Sequence, residues 1–121
     1  MSDQQIEQES QAKGLTAPRV TLADIEGNIL GVHYFTAEQG ARASVDSGVI
    51  DAEDAQALGL LTFCVLVLKN GFTVTGESAC ASPENFDAEI GRKIARDNAI
   101  NKVWMLEGYL LKQRLHEEKS A

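Results

Sequence analysis

The stretch that decides the fold is LLTFCVLVLKNGFTVTGES, residues 60–78. An apolar run rich in β-forming side chains covers 60–68, a turn follows at 69–71, and residues 72–78 alternate between apolar and polar. Asn-Gly between two such runs predicts a β-hairpin, because both central residues of the expected turn need positive φ. The first strand has almost no polar face, so both of its faces should be covered. Helices, a partner subunit that extends the sheet, or both would supply that cover.

Helices are predicted before and after this hairpin. Apolar residues recur at steps of three and four over 22–34, which predicts one helix with Thr21 as its N-cap. One or two short helices are expected within 36–59, and a long last helix is predicted to open at 82–84 with a break near Gly108. The predicted fold class is therefore α+β: a small antiparallel β-hairpin or sheet packed with helices, with a long C-terminal helix, assembling into oligomers.

The domain organisation follows from length and composition. A chain of 121 residues suits one domain, since domains commonly hold about 100–150 residues. Residues 1–17 are polar and Gln-rich and are predicted to form a disordered tail, residues 18–116 a single α+β domain, and residues 117–121 a second tail. No apolar run reaches the roughly 18 residues that span a bilayer, and the first residues lack the pattern of a signal peptide. These patterns favour a soluble protein of the cytosol.

Charge and residue usage narrow the function classes. Eleven basic and eighteen acidic residues give 11 − 18 = −7, which argues against binding genomic nucleic acid through its phosphates. The net charge does not exclude binding of a small anion, because a small anion needs only two or three local donors. The two cysteines do not make a disulfide framework, and the two histidines fall in no metal-binding or catalytic spacing. We therefore expect no metal and no cofactor, and Cys64 should be a small buried apolar residue.

The last helix carries an arginine pair. Arg92 and Arg96 are four residues apart, so they share one face and could clamp a phosphate or diphosphate. The alternative is that the two guanidinium groups form surface ion pairs with Glu89 and Asp97.

Four further side chains have a functional and a structural interpretation. Phe72 at the hairpin turn, with Lys69 beside it, would suit a base-stacking platform, although such a phenylalanine is more often part of a core. Asn98 and Asn101 continue the stripe of apolar residues that begins at Phe86 on the last helix. They would face a ligand or a subunit interface, or else cap loops and strand ends.

The sequence also resembles a known family. Residues 61–80, 83–99 and 101–110, together with 18–21, resemble a family of small tailed-phage and prophage proteins. The string EIGRKIA, residues 89–95, is the most specific part of this resemblance. The group looks similar to the Thoeris anti-defence one proteins, which are sponges.

The resemblance implies a function without catalysis. Such sponges bind the cyclic ADP-ribose isomer that Thoeris immunity makes as an alarm signal, and they do not degrade it. Some members also sequester cyclic oligonucleotides and assemble as dimers or hexamers. The resemblance thus implies a protein of the bacterial host's cytoplasm, a homodimer or higher homo-oligomer, whose partner is a cyclic nucleotide rather than a membrane.

A sponge of this kind needs groups for phosphate, base and ribose. Arg92 and Arg96 would take the diphosphate, with Arg19 as a second phosphate candidate. Phe72 or Phe86 would stack on the base, and the amides of Asn98 and Asn101 would bind ribose hydroxyls; these groups and Lys69 are the predicted ligand-binding residues.

Two other functions stay open at this stage. The chain could be a phage accessory protein that binds a host protein, with Trp104 and Tyr109 as interface anchors. A nuclease or hydrolase is disfavoured, because the sequence offers no spaced set of His, Asp or Glu for a metal.

Overall fold

The computed structural model describes residues 2–15 and 17–120. Its elements, in chain order, are α1 (Asp3–Ala12), α2 (Leu22–Asn28), β1 (Ile29–Thr36), α3 (Ala37–Ala43), α4 (Ala52–Leu58), β2 (Leu61–Leu68), β3 (Thr73–Ala79), a single 3₁₀ turn (Pro83–Asn85) and α5 (Ala88–Ser120). Among the described residues, none of the helices is long and apolar enough to cross a membrane.

The three strands form one antiparallel sheet in the order β1-β2-β3. The sheet and the long C-terminal helix confirm the predicted α+β class. β2 is the central strand, which explains its continuous apolar run. Its alternate residues Thr62, Cys64, Leu66 and Leu68 are buried on the face that meets α5, and the residues between them are half-buried on the other face.

The hairpin is present, but its turn differs from the predicted one. The amide of Gly71 donates to the carbonyl of Leu68, and Gly71 alone in this turn has a positive φ, of 87°. Asn70 instead accepts a hydrogen bond from the Phe72 amide on its side-chain oxygen, at 2.9 Å. This is the three-residue loop with a left-handed glycine at its end, which also suits the twist of the strands.

The helix predicted over 22–34 ends at Asn28, and the rest of that segment is β1. Its start is as predicted: the Thr21 hydroxyl accepts from the Asp24 amide, and the Asp24 carboxylate accepts from the Thr21 amide. The prediction failed beyond Gly27 because pairing with β2 satisfies the backbone of a segment rich in β-branched and aromatic residues. The two short helices expected within 36–59 are α3 and α4.

The two predicted tails contain helix. Residues 3–12, expected to be disordered, form α1, which begins with a capping box between Ser2 and Gln5. Helix α5 continues to Ser120 and includes most of the predicted C-terminal tail. The parts of these predictions that concern residues 1, 16 and 121 lie outside the described residues.

The long helix begins later and runs further than predicted. Ser82 makes no side-chain cap bond; the segment after it is the 3₁₀ turn, and the Asp87 carboxylate accepts from the Ile90 amide at the start of α5. No break occurs at Gly108, because a glycine inside a helix costs only about 1 kcal/mol relative to alanine.

The core lies between α5 and the sheet. Small residues recur every four positions on the buried face of α5, at Gly91, Ala95 and Ala99, followed by Val103. They let the helix lie against β3 so closely that a Cβ on Gly76 would be 2.2 Å from the Ala95 carbonyl oxygen. This contact fixes the position of the arginine-bearing face of α5 relative to β1.

Candidate functional site

The two arginines of α5 form no ion pair with the described residues. Within residues 2–15 and 17–120, neither Arg92 nor Arg96 makes a salt bridge or a side-chain hydrogen bond. Glu89, the acid expected to neutralise Arg92, instead lies 3.3 Å from Lys93. The ion-pair alternative raised by the sequence is therefore not what the described part of the chain adopts.

Tyr34 of β1 lies near both arginines. Partial burial raises the pKa of Tyr34, negative charge at Cys64 adds to this, and the positive charges of Arg96 and Arg92 oppose it. Burial likewise raises the pKa of the Cys64 thiol, again opposed by Arg96, so Cys64 is the buried apolar residue that was predicted. We use the name β1–α5 groove for the two cavities that these arginines line, one with Arg92 and Tyr34 and the other with Arg96. The two cavities share no lining residue.

One end of the β1–α5 groove is aromatic. Arg92 lines a cavity of about 230 Å³ together with Tyr34 and Phe86. Thr36 and Thr62 line the same cavity. Phe86 follows the 3₁₀ turn directly and is half-buried. Its ring is therefore a wall of the groove and not part of the closed core.

The other end of the groove is larger. Arg96 and Asn101 line a cavity of about 720 Å³, which the first residues of α1 and part of α2 enclose. Ile25 and Ile100 form its apolar wall, whereas Asp97 and Glu26 add negative charge. Ligand pockets usually hold about 300–1,000 Å³, so this end has the size for a small molecule.

Arg19 is occupied by a carboxylate of its own chain. Its two terminal nitrogens donate to the two oxygens of Glu7 at 2.8 and 2.9 Å, and its Nε donates to the Leu15 carbonyl. The hydrogen bonds from Arg19 are the main reason that the pKa of Glu7 falls to about 2. Arg19 was predicted to bind a phosphate, but in the structure it binds the Glu7 carboxylate.

Lys69 and Phe72 lie at the opposite end of the sheet from Arg92. Gly91 contacts Thr62 at one end of β2, and the turn follows Leu68 at the other, about 20 Å away at the usual rise per residue. Lys69 lines a separate cavity of about 490 Å³ with Arg19. Phe72 is 57% exposed.

The two asparagines have different surroundings. The Asn98 amide donates to the Glu77 carbonyl of β3 at 2.8 Å, so it caps a strand edge, as the structural alternative proposed. Asn101 is exposed and lines the cavity that contains Arg96. Of the eight predicted site residues, the structure therefore brings Arg92 and Phe86 together at one end of the groove and Arg96 and Asn101 at the other.

Sequence reasoning missed three parts of this site. Tyr34 was assigned to a helix, although the alternating, β-branched run around it is a strand signal. The acids of α1 were assigned to a disordered tail, although Ser2 and Gln5 have the spacing of a capping box. The apolar stripe drawn through Ile90 and Ile94 is wrong, because both residues are exposed and the small residues pack instead.

The fold and groove define a small α+β domain with an arginine pair that has no ion-pair partner among residues 2–15 and 17–120, and Arg92 of this pair lies beside an aromatic-walled surface cavity. The chain belongs to the Phage protein (N4 Gp49/phage Sf6 gene 66) family, whose model matches residues 20–115. No curated protein and no solved structure matches the chain. The matched region contains the whole sheet and every groove residue outside α1, so the phage class predicted from the sequence is confirmed.

Proposed function

We propose that this phage protein is an anti-defence sponge. It binds a cyclic ADP-ribose-type immune signal in the β1–α5 groove, does not cleave it, and thereby blocks Thoeris-type immunity. The observation that carries the proposal is the Arg92–Arg96 pair, which makes no ion pair with the described residues and whose Arg92 lines a cavity with Tyr34. Cyclic oligonucleotides, which share the phosphates and bases of this ligand, are a second ligand class in the proposal.

The groove offers one type of group for each part of the ligand. Arg92 and Arg96 can each donate two hydrogen bonds to a diphosphate oxygen pair. Phe86 and Tyr34 present aromatic surface for the base, a contact worth about 1–3 kcal/mol. Asn101 lies at the Arg96 end, where it can reach ribose hydroxyls. Asn98 and Phe72 are outside this set, because the first caps β3 and the second is remote from the arginines.

A binding experiment tests the proposal directly. Isothermal titration with cyclic ADP-ribose isomers would measure the affinity of three proteins: the wild-type chain, the double variant Arg92→Ala/Arg96→Ala and the control Lys93→Ala. We expect the double variant to bind at least about 30-fold more weakly, since the loss of even one charged hydrogen bond costs about 2 kcal/mol. Lys93→Ala should bind like the wild type, because Lys93 lies between the arginines in sequence but pairs with Glu89 at the surface.

The fate of the nucleotide separates a sponge from an enzyme. After binding, the protein would be denatured by heat and the released nucleotide analysed by chromatography. Intact nucleotide is the expected result, whereas a cleaved product would make the protein an enzyme. Absence of heat with every cyclic nucleotide would reject the sponge.

The proposal extends to assembly and location. A homodimer or higher homo-oligomer would enclose a ligand that one 121-residue chain exposes on its surface. The immune signal is made inside the infected cell, so the sponge acts in the cytoplasm of the bacterial host.

The alternative function, binding a host protein, is favoured by one observation. Met105 and Tyr109 of α5 are 72% and 73% exposed, and two neighbouring leucines are also accessible. Aromatic and methionine side chains are enriched at the centre of protein interfaces. Under this alternative, Tyr109→Ala abolishes the activity of the protein in infected cells while Arg92→Ala/Arg96→Ala retains it, whereas the sponge requires the double arginine variant to be inactive.

A further inference from the structure

Helix α1 is attached to the rest of the protein by polar contacts at its first residue and near its middle. The Trp104 indole nitrogen donates to the Asp3 carboxylate at 2.9 Å. Further along α1, Glu7 receives the bidentate contact from Arg19. No residue of α1 is buried, and Ile6, its large apolar side chain, is 49% exposed.

Space remains beneath α1. A cavity of about 380 Å³ separates Ile6, Glu7 and Ser10 from Trp104 and Val20. The first residues of α1 also form one wall of the larger cavity that contains Arg96 and Asn101. Because a ten-residue helix is marginal by itself in water, α1 depends on its few contacts to stay in place.

Glu7 presents to Arg19 the same geometry that a ligand phosphate would. Two carboxylate oxygens meet the two terminal nitrogens of one guanidinium group, which is the fork-to-fork arrangement that arginine makes with phosphates. Glu7 is ionised at neutral pH, and the contact with Arg19 lowers its pKa to about 2, so the ion pair persists well into acidic pH. An anion with higher charge than a carboxylate could replace it.

We infer that α1 is a releasable lid over the Arg96 end of the groove, held by Glu7 on Arg19 and by Asp3 on Trp104, and that a diphosphate-bearing ligand displaces Glu7. The lid admits the ligand to the cavity when α1 detaches. What this inference says of the ligand rests on the proposed function, whereas the release of α1 itself does not.

Trp104 provides a direct readout, because it is the single tryptophan of the chain. Acrylamide quenching of its fluorescence reports exposure of the indole, and amide hydrogen exchange over residues 3–12 reports detachment of α1. The variant Glu7→Gln removes the charge with little change of shape. Glu9→Gln is the matched control, since it makes the same charge change on the same helix but removes only the exposed pair with Lys13.

We expect Glu7→Gln to raise both quenching and exchange by about 2- to 5-fold, the range set by one partly exposed ion pair. Glu9→Gln should match the wild type. An unchanged denaturant midpoint of the core would show that Glu7→Gln still folds. Equal quenching and exchange in Glu7→Gln and wild type, or equal increases in the two variants, would reject the lid.

Inorganic pyrophosphate tests the displacement of Glu7. Added to the wild type, it should raise Trp104 quenching to the level of Glu7→Gln, and it should bind Glu7→Gln about 2- to 5-fold more tightly than wild type or Glu9→Gln. Equal affinity for all three proteins, or no effect on quenching, would reject the exchange at Arg19. If α1 is released in Glu7→Gln but no cyclic nucleotide binds, the lid hypothesis is supported and the sponge hypothesis is rejected. Nucleotide binding that Glu7→Gln leaves unchanged would keep the sponge and reject the displacement of Glu7 by its ligand.

Discussion

Gly76 determines how closely the long helix approaches the sheet. The space where its Cβ would lie is filled by the backbone of α5, with the Ala95 oxygen at 2.2 Å and the Ala99 nitrogen at 2.3 Å. Main-chain atoms cannot rotate away as a side chain can, so any larger residue must separate the helix from the strand. The distance between Arg92 on α5 and Tyr34 on β1 depends on this one missing side chain.

The variant Gly76→Ala should therefore lower the free energy of unfolding by about 3 kcal/mol, as expected for overpacking in a closed core. Gly108→Ala is the matched control, because Gly108 lies in α5 with no atom within 4 Å of the added Cβ. This second substitution should raise the stability by up to about 1 kcal/mol through helix propensity. Urea unfolding followed by circular dichroism measures both. Equal stability of Gly76→Ala and wild type would contradict the close packing.

At the scale of single residues, sequence reasoning succeeded where chemistry is local. Thr21 caps its helix and Cys64 is buried, as predicted, because each depends on near neighbours in the chain or on an obvious apolar run. The surroundings of Arg19 and Asn98 could not be predicted. Their partners, Glu7 and the Glu77 carbonyl, lie 12 and 21 residues away and are brought close only by the fold.

At the scale of elements, α5 is both the main packing element and the carrier of the candidate site. The first part of its buried face is made of small residues and the later part includes Ile100 and Val103, while Ile90 and Ile94 are exposed. A search for large apolar residues at helical spacing therefore selects the wrong face, whereas small residues at every fourth position mark the right one. The hairpin was predictable because its strands and turn are contiguous in sequence. The segment of β1 also fits a helical pattern of apolar residues, and it is a strand because it pairs with β2.

The two asparagines of α5 should respond differently to substitution. Asn98→Ala leaves the Glu77 carbonyl without its side-chain donor and should lower the free energy of unfolding by about 1 kcal/mol. Asn101→Ala should stay within about 0.5 kcal/mol of the wild type, because Asn101 is exposed and makes no described side-chain hydrogen bond among residues 2–15 and 17–120. Thermal or denaturant unfolding of the two variants measures the difference. The reverse order of stabilities would contradict the assignment of Asn98 to the fold and Asn101 to the groove.

At the scale of the whole molecule, large apolar side chains remain accessible on several elements, β1 and α5 among them. Leu30 of β1 is 67% exposed, and Met105 and Tyr109 of α5 are more exposed still. Large exposed apolar patches usually mark interaction sites on soluble proteins. The proposed homo-oligomer would cover part of it.

Sedimentation velocity at tens of micromolar protein tests the assembly. We expect a species of at least twice the 13.1 kDa chain mass, with the monomer appearing only on dilution. The variant Met105→Ser/Tyr109→Ser would locate the contact, since it should shift the equilibrium towards monomer if α5 forms the interface and leave it unchanged if β1 does. A clean monomer of the wild type over the whole concentration range would overturn the oligomer.

The sheet has one more consequence, which concerns how the chain reaches this structure. Each strand pairs only with the strand next to it along the chain, and α5 follows β3 and packs mainly on β3 and β2. Contacts between segments that are close in sequence cost little loop-closure entropy, and chains rich in such contacts fold quickly. From Leu61 onwards, the hairpin and the helix can therefore assemble as one unit as soon as they leave the ribosome. Strand β1 is made earlier, but it can form only after β2 is available to pair with it.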